Sequence, residues 1–203
     1  MTPLAQAQLG LLRQMAALDP PPCLMGGYAE DALLAGTVTR PHGDVDWLVP
    51  RGELDLRLAQ AAGLGFEGFG TWGEAAPGLP FYLSAAAGEL RLEIGVVDEI
   101  EGERWICVHK LFFDVDGAEP PAGYRVLMPP DTFAHPPAQL DGIAVRVASP
   151  LALYQLRAGI ARMGSFGPLS DRQRATMDEL RRRFFPERPE ADLLPRIERL
   201  PTG

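Results

Sequence analysis

Two aspartates one residue apart, Asp44 and Asp46, stand seventeen residues beyond a glycine pair, Gly26-Gly27. On a strand, side chains at i and i+2 leave the same face with origins roughly 6.5–7 Å apart. Carboxylates so placed can converge on magnesium ions, which in two-metal sites sit about 3.5–4 Å apart. Such ions orient a triphosphate, activate an attacking oxygen and offset charge on departing pyrophosphate. Two glycines at a strand-to-helix turn let a phosphate approach the backbone, where the free N–H groups and dipole of the helix start favour negative charge. Glu93, in Leu90-Arg91-Leu92-Glu93-Ile94, faces away from the leucines and is the candidate third carboxylate on a neighbouring strand. Each piece alone has a plainer reading. A Gly-Gly is usually a turn, an Asp-x-Asp an exposed pair, and a glutamate between leucines a solvated residue.

The elements that must carry these residues are legible in outline. Thr2 as N-cap, Pro3 at the first helical position and Leu9, Leu12, Met15 and Leu18 predict a helix, stopped by Asp19 and Pro20-Pro21-Pro22. Cys23-Leu24-Met25 reads as a strand ending at the glycines, Tyr28 to Ala35 as a helix, Val45 to Val49 as a strand and Glu53 to Ala62 as a helix. Phe66–Trp72, Phe81–Ala85, Leu90–Val97 and Trp105–Val108 read as antiparallel strands, with a hairpin turn at Glu101-Gly102. The stretch 114–142 reads as irregular, and Val145 and Val147 as a last strand. Ser149-Pro150 opens a helix with Leu153, Leu156 and Ile160 on one face, Ser170 and Gln173 form a capping box for another, and Glu190–Leu200 reads as a short final helix. The expected fold class is α+β: a mixed β-sheet flanked by helices over residues 1–148, with a helical C-terminal part over 149–203.

Bulk properties narrow the partners. The chain has 203 residues, enough to bury a substantial core. Residues 1–149 hold 9 Lys/Arg against 20 Asp/Glu, a net of −11, whereas residues 150–203 hold 10 against 7, a net of +3. An acidic body opposes duplex nucleic acid, whose binding is dominated by phosphate attraction, and suits metal ions and cationic small molecules. No apolar run approaches the ~18 residues of a membrane span, and the N-terminus lacks a signal-peptide pattern, so the expected location is cytoplasmic. Cys23 and Cys107 lie far apart among apolar residues and read as small buried hydrophobes.

The segment from Gly26 to Asp46 closely resembles the active-site segment of the antibiotic nucleotidyltransferases. The nearest pattern is that of the aminoglycoside 2''-adenylyltransferases and lincosamide nucleotidyltransferases. They carry Gly-Gly, an aspartate four residues on, Leu-Gly, Thr-Arg-x-His and Asp-x-Asp. The chain has these as Gly26-Gly27, Asp31, Leu34-Ala35-Gly36 with one extra residue, Thr39-Arg40-Pro41-His42 and Asp44-Val45-Asp46. The resemblance covers about an eighth of the chain, with weaker similarity through Ile143–Leu156 and Ser170–Phe184. It implies the polymerase-β-like nucleotidyltransferase fold, with a catalytic domain at 1–148 and a helical subdomain at 149–203. It also implies magnesium-dependent transfer of a nucleoside monophosphate, AMP foremost, from an NTP to a hydroxyl. By position, Gly26 and Gly27 would cradle the triphosphate, Arg40 and His42 would line it or shape the loop before the strand, and Asp44 and Asp46 would bind two Mg2+ ions with Glu93. Two departures stand out. Glu93 replaces the commoner aspartate, and Trp47 is bulkier than the usual aliphatic residue; core packing is its simplest role.

Other residues have weaker claims. Asp31 reads as a structural ion pair that orients the loop through Arg40, with a plain helix-surface position as the alternative. Arg157, Arg162, Arg172 and Arg174 come from the basic C-terminal part, where a guanidinium can fork onto phosphate oxygens. The acidic run Asp98–Glu103 reads as surface. The leading expectation is an enzyme that moves an NMP onto a hydroxyl-bearing small molecule, a cationic one being suited to the acidic body. The alternatives are a catalytically degenerate nucleotide- or protein-binding module of the same fold, or a nucleotidyltransferase acting on a protein.

Overall fold

The computed structural model describes residues 2–111, 123–163 and 168–200, including the side chains of all but Lys110, Leu111 and Met163. Helix α1 spans Pro3–Ala16, and the Thr2 hydroxyl accepts from the Ala5 N–H to cap it. Strand β1 (Cys23–Met25) runs directly into α2 (Gly26–Leu34), and β2 (Val45–Pro50) follows. A 3-10 turn at Arg51–Glu53 leads into α3 (Leu54–Gly63). Next come β3 (Gly70–Ala76), β4 (Leu79–Ala87), β5 (Leu90–Ile100), β6 (Glu103–Val108) and β7 (Lys110–Leu111). The β5–β6 turn is the expected one, with Glu101 and Gly102 both at positive φ.

Strand β8 (Tyr124–Met128) and the short antiparallel pair β9 (Ala138–Leu140) and β10 (Ile143–Val145) lie within or beside the stretch read as irregular. Pairing with β6 and with Ile197–Arg199 overrode the local signals at β8, whereas β9 and β10 form a local hairpin across Asp141-Gly142, both at positive φ. Residues 112–122 of that stretch lie outside the described residues. Helices α4 (Pro150–Met163) and α5 (Asp171–Phe184) follow as expected, with the Ser170–Gln173 capping box formed. The last segment departs from the expected helix. A 3-10 turn at Glu190–Leu193 precedes strand β11 (Ile197–Arg199), which pairs antiparallel with β8.

Strand β5 organises the sheet. Its first half lies between β4, antiparallel, and β2, parallel; its last three residues pair with β6. Beyond β6 the order continues through β8 to β11, and beyond β4 through β3 to β7, while β1 borders β2. The segment before α4 closes the β1 edge: Leu24 N–H donates to Arg146 O, and Ala148 N–H donates to Leu24 O.

Strand alternation divides this sheet into a dry face and a chemical face. The parallel register pairs Val45 with Leu92, Trp47 with Ile94 and Val49 with Val96, and all six are fully buried. They form the main core with Leu12 and Met15 of α1, whose sulfur accepts the Trp47 indole N–H at 3.4 Å. Core packing is thus the observed state of Trp47. The intervening pairs, Asp46 with Glu93 and Leu48 with Gly95, point the other way. Both cysteines are buried and free, and burial pushes their thiols up, to about 12 for Cys23 and about 11 for Cys107.

Candidate active site

The chemical face of β2 and β5 lines a cavity of about 500 Å³, bounded by α2, by β4, β6 and β8, and by α4 and the start of α5. Gly26, Gly27, Arg40, His42, Asp44 and Asp46 all line it. The Asp46–Glu93 register places these carboxylates side by side on neighbouring parallel strands. One carboxylate oxygen from each of Asp44, Asp46 and Glu93 lies within 4.8 Å of the others, a group that could hold a metal ion.

The electrostatics mark this trio as incomplete by itself. Burial, followed by the Asp44 and Glu93 charges, pushes Asp46 well above the usual carboxylate range, against the pull of Arg157. Glu93 is also raised, by burial and by Asp44, while a hydrogen bond from the Tyr82 hydroxyl acts the other way. Like charges held together in a partly dry cleft favour a cation between them. Hard carboxylate oxygens suit magnesium, so the donor set fits the metal that the resemblance implies.

The glycines are needed where they stand. Gly26 has φ +65°, and a Cβ there would lie 2.0 Å from Asp46 Oδ2. A Cβ on Gly27 would lie 2.2 Å from His42 Nδ1 and 2.9 Å from an Arg40 guanidinium nitrogen. Any larger residue would fill the space between the start of α2 and the loop before β2. Met25, the N-cap, offers no side-chain bond to the first turn of α2, which leaves its N–H groups for another partner.

His42 and Asp31 form the support of this loop. His42 is 5% exposed; its Nε2 lies 2.8 Å from Asp31 Oδ2, and its ring packs on Tyr28 with centroids 4.2 Å apart. Asp31 also accepts from the Thr39 N–H at 3.0 Å and the Thr39 hydroxyl at 2.6 Å. Burial raises its carboxyl, but these hydrogen bonds outweigh that and hold it below the usual range. Gln8 of α1 donates to His42 O and accepts from the Tyr28 hydroxyl. Asp31 therefore orients the loop through His42 and Thr39, in place of the expected Arg40. Among the described residues, the Arg40 side chain hydrogen-bonds its neighbour's carbonyl, Pro41 O, at 3.4 Å.

The four arginines considered together in sequence separate in space. Arg157 and Arg172 line the cavity. Arg162 donates to Pro195 O at 3.0 Å, and Arg174 to Leu169 O and Asp171. In the acidic run, Asp98 pairs with Arg51 and Glu103 with Arg196. Glu30 and Tyr82 are lining residues that touch this machinery and were not expected from sequence. Buried Glu30, paired with Arg157, lies four residues after Gly26 and hence on the same helix face, a signal that sequence did offer. Tyr82 reaches Glu93 only because β4 and β5 pair in one register, with Tyr82 opposite Gly95.

No protein-family model and no curated protein matches the chain. Solved structures do. The solution structure of the antibiotic-resistance factor ANT(2'')-Ia is 19% identical, with 90% of this chain and 86% of that one covered at a TM-score of 0.59. A crystal structure of ANT(2'')-Ia in complex with adenylyl-2''-tobramycin is 17% identical over 93% and 92% of the two chains, again at 0.59. The mixed sheet with flanking helices is thus the nucleotidyltransferase fold, and the chain resembles the aminoglycoside adenylyltransferases that share it.

Proposed function

We propose that this protein is a metal-dependent nucleotidyltransferase that moves AMP from ATP to a hydroxyl of a small molecule. One observation carries the reading: Asp44, Asp46 and Glu93 converge beside a glycine-opened helix start that bears no side-chain cap. Asp44, Asp46 and Glu93 would hold Mg2+, which supplies charge neutralisation for the phosphates and polarises the attacking oxygen. The α2 start at Gly26-Gly27 binds phosphate oxygens through its N–H groups, and Arg40 and His42 flank them. Arg157 and Arg172 approach from the helical side of the cleft.

In the reaction the acceptor oxygen attacks the α-phosphorus, a new P–O bond forms, and the bond to the β-phosphate bridge oxygen breaks. Pyrophosphate leaves with the electron pair. The hydroxyl proton passes to Glu93 and then to water. Tyr82 orients that carboxylate. The adenylylated tobramycin held by the structural neighbour is a precedent for this class of acceptor.

Calorimetric titration with a non-hydrolysable ATP analogue tests the reading. Magnesium-dependent binding that disappears in Asp44→Ala is the expected result. Binding that persists unchanged in Asp44→Ala, or no binding of any NTP, would remove the metal assignment and point to a degenerate relative with a protein partner.

A further inference from the structure

We infer that the acceptor is an uncharged hydroxyl compound with an apolar body, seated on a wall made by β6, β8 and α4. This deepens the nucleotidyl-transfer reading and rests on it. Beyond Asp46 and Leu48 the cavity runs along Phe81, Ile106, Tyr124, Val126, Leu156 and Ile160. Strand alternation makes the wall apolar. On β6 and β8 the residues facing away from the cavity include Trp105 and Arg125, and the Arg125 and Arg196 guanidinium groups lie 4.2 and 4.7 Å from the Trp105 ring. The cationic layer is therefore on the outside. On α4, Leu153, Leu156 and Ile160 repeat at helical spacing, so the apolar face of that helix supplies cavity wall.

Charge within the cavity points the same way. Among the described lining residues the carboxylates are Glu30, Asp44 and Asp46. Glu30 is paired with Arg157, and the aspartates belong to the metal-binding trio. Arg40, Arg157 and Arg172 also line the space. A polyammonium acceptor entering here finds arginines and no free carboxylate, and it loses hydration without recompense. An apolar body instead gains about 25 cal/mol for each Å² it withdraws from water. Of the acidic residues in 1–149, Glu30, Asp44 and Asp46 are those among the described cavity lining, and none lies on β6, β8 or α4.

The test uses the full chain saturated with Mg2+ and the ATP analogue, titrated with 2-naphthyl β-glucoside, methyl β-glucoside and tobramycin. The two glucosides share their sugar hydroxyls and differ in apolar body. We expect the naphthyl compound to bind at least about tenfold tighter than the methyl one, and tobramycin not to displace it. Ile160→Glu, or Leu156→Glu at the neighbouring turn, should erase that advantage, with folding checked by circular dichroism. Both residues are only half-buried, which keeps the substitutions compatible with the helix. Analogue affinity should stay within about twofold, since the tenfold effect belongs to the acceptor. A glucoside ratio near one, or displacement by tobramycin, overturns the inference. So does a loss of analogue affinity in Ile160→Glu, which would assign the wall to the nucleobase. Failure of the analogue to bind the unsubstituted protein defeats the reaction reading instead, and titration of the free protein still measures the apolar preference.

Discussion

Two polar regions lie side by side in this cleft and are built on opposite terms. Around Asp31, every group meets a partner from the chain itself: His42, Thr39, and behind them Gln8 and Tyr28. Around Asp46, carboxylates face one another, and the pull of Arg157 does not offset their repulsion. The first region is complete as folded and fixes a loop. The second is left unbalanced at a cavity, and under the proposed function a cation would complete it. Buried charge that is satisfied reads as structure; buried charge left unbalanced at a cavity reads as a site.

The largest expected effect breaks the unbalanced side. Asp46→Asn should cut AMP transfer by about a thousandfold or more, because several kcal/mol of charge stabilisation is lost with the metal. The same substitution should raise the thermal midpoint of the metal-free protein at pH 8, since one repelling charge is gone. A fall in that midpoint would mean that the trio is not repulsive. On the satisfied side, Asp31→Ala should cost about 3 kcal/mol in urea unfolding, because it leaves the buried His42 ring and the two Thr39 donors without their acceptor.

pH sharpens the contrast, because the two aspartates are shifted in opposite directions. Asp46 binds its proton more tightly folded than unfolded. Its favourable contribution is present below its usual 3.8 and is lost as pH rises from there through its folded value. Asp31 is held below 3.8 when folded, so its contribution is present above 3.8 and is lost as pH falls through the lowered value. Urea midpoints measured against pH without metal should therefore rise on acidification toward 3.8 in the unsubstituted protein. That rise should flatten in Asp46→Asn and persist in Asp31→Ala. The smallest effect concerns the arginines. Arg172→Ala should weaken binding of the magnesium–ATP analogue by about fivefold to tenfold, as expected for loss of one charged hydrogen-bonding partner. Arg174→Ala, whose side chain is occupied by Leu169 O and Asp171, should leave that binding unchanged.

The amino-acid order alone determined the parts that are local. Gly26-Gly27 and Asp44-Val45-Asp46 lie within one strand–helix–loop–strand unit, so their spacing and strand parity were legible, although the β1–β2 register that sets Met25 opposite Asp46 is what brings them together. The caps at Thr2, Ser149 and Ser170 were legible for the same reason, since each bond spans three residues. What no local pattern held was pairing. Whether Glu93 joins the aspartates depends on parallel register between β2 and β5, and one residue of slip would turn it into the core. Tyr82, the wall on β6 and β8, and the β8–β11 pair depend on contacts far apart in the chain. Hydrophobic alternation marked those residues as buried on one face and was silent on whether that face meets core or cavity. Only the packing of α4 and α5 across the sheet decided it, because a cleft is a property of where two surfaces fail to touch.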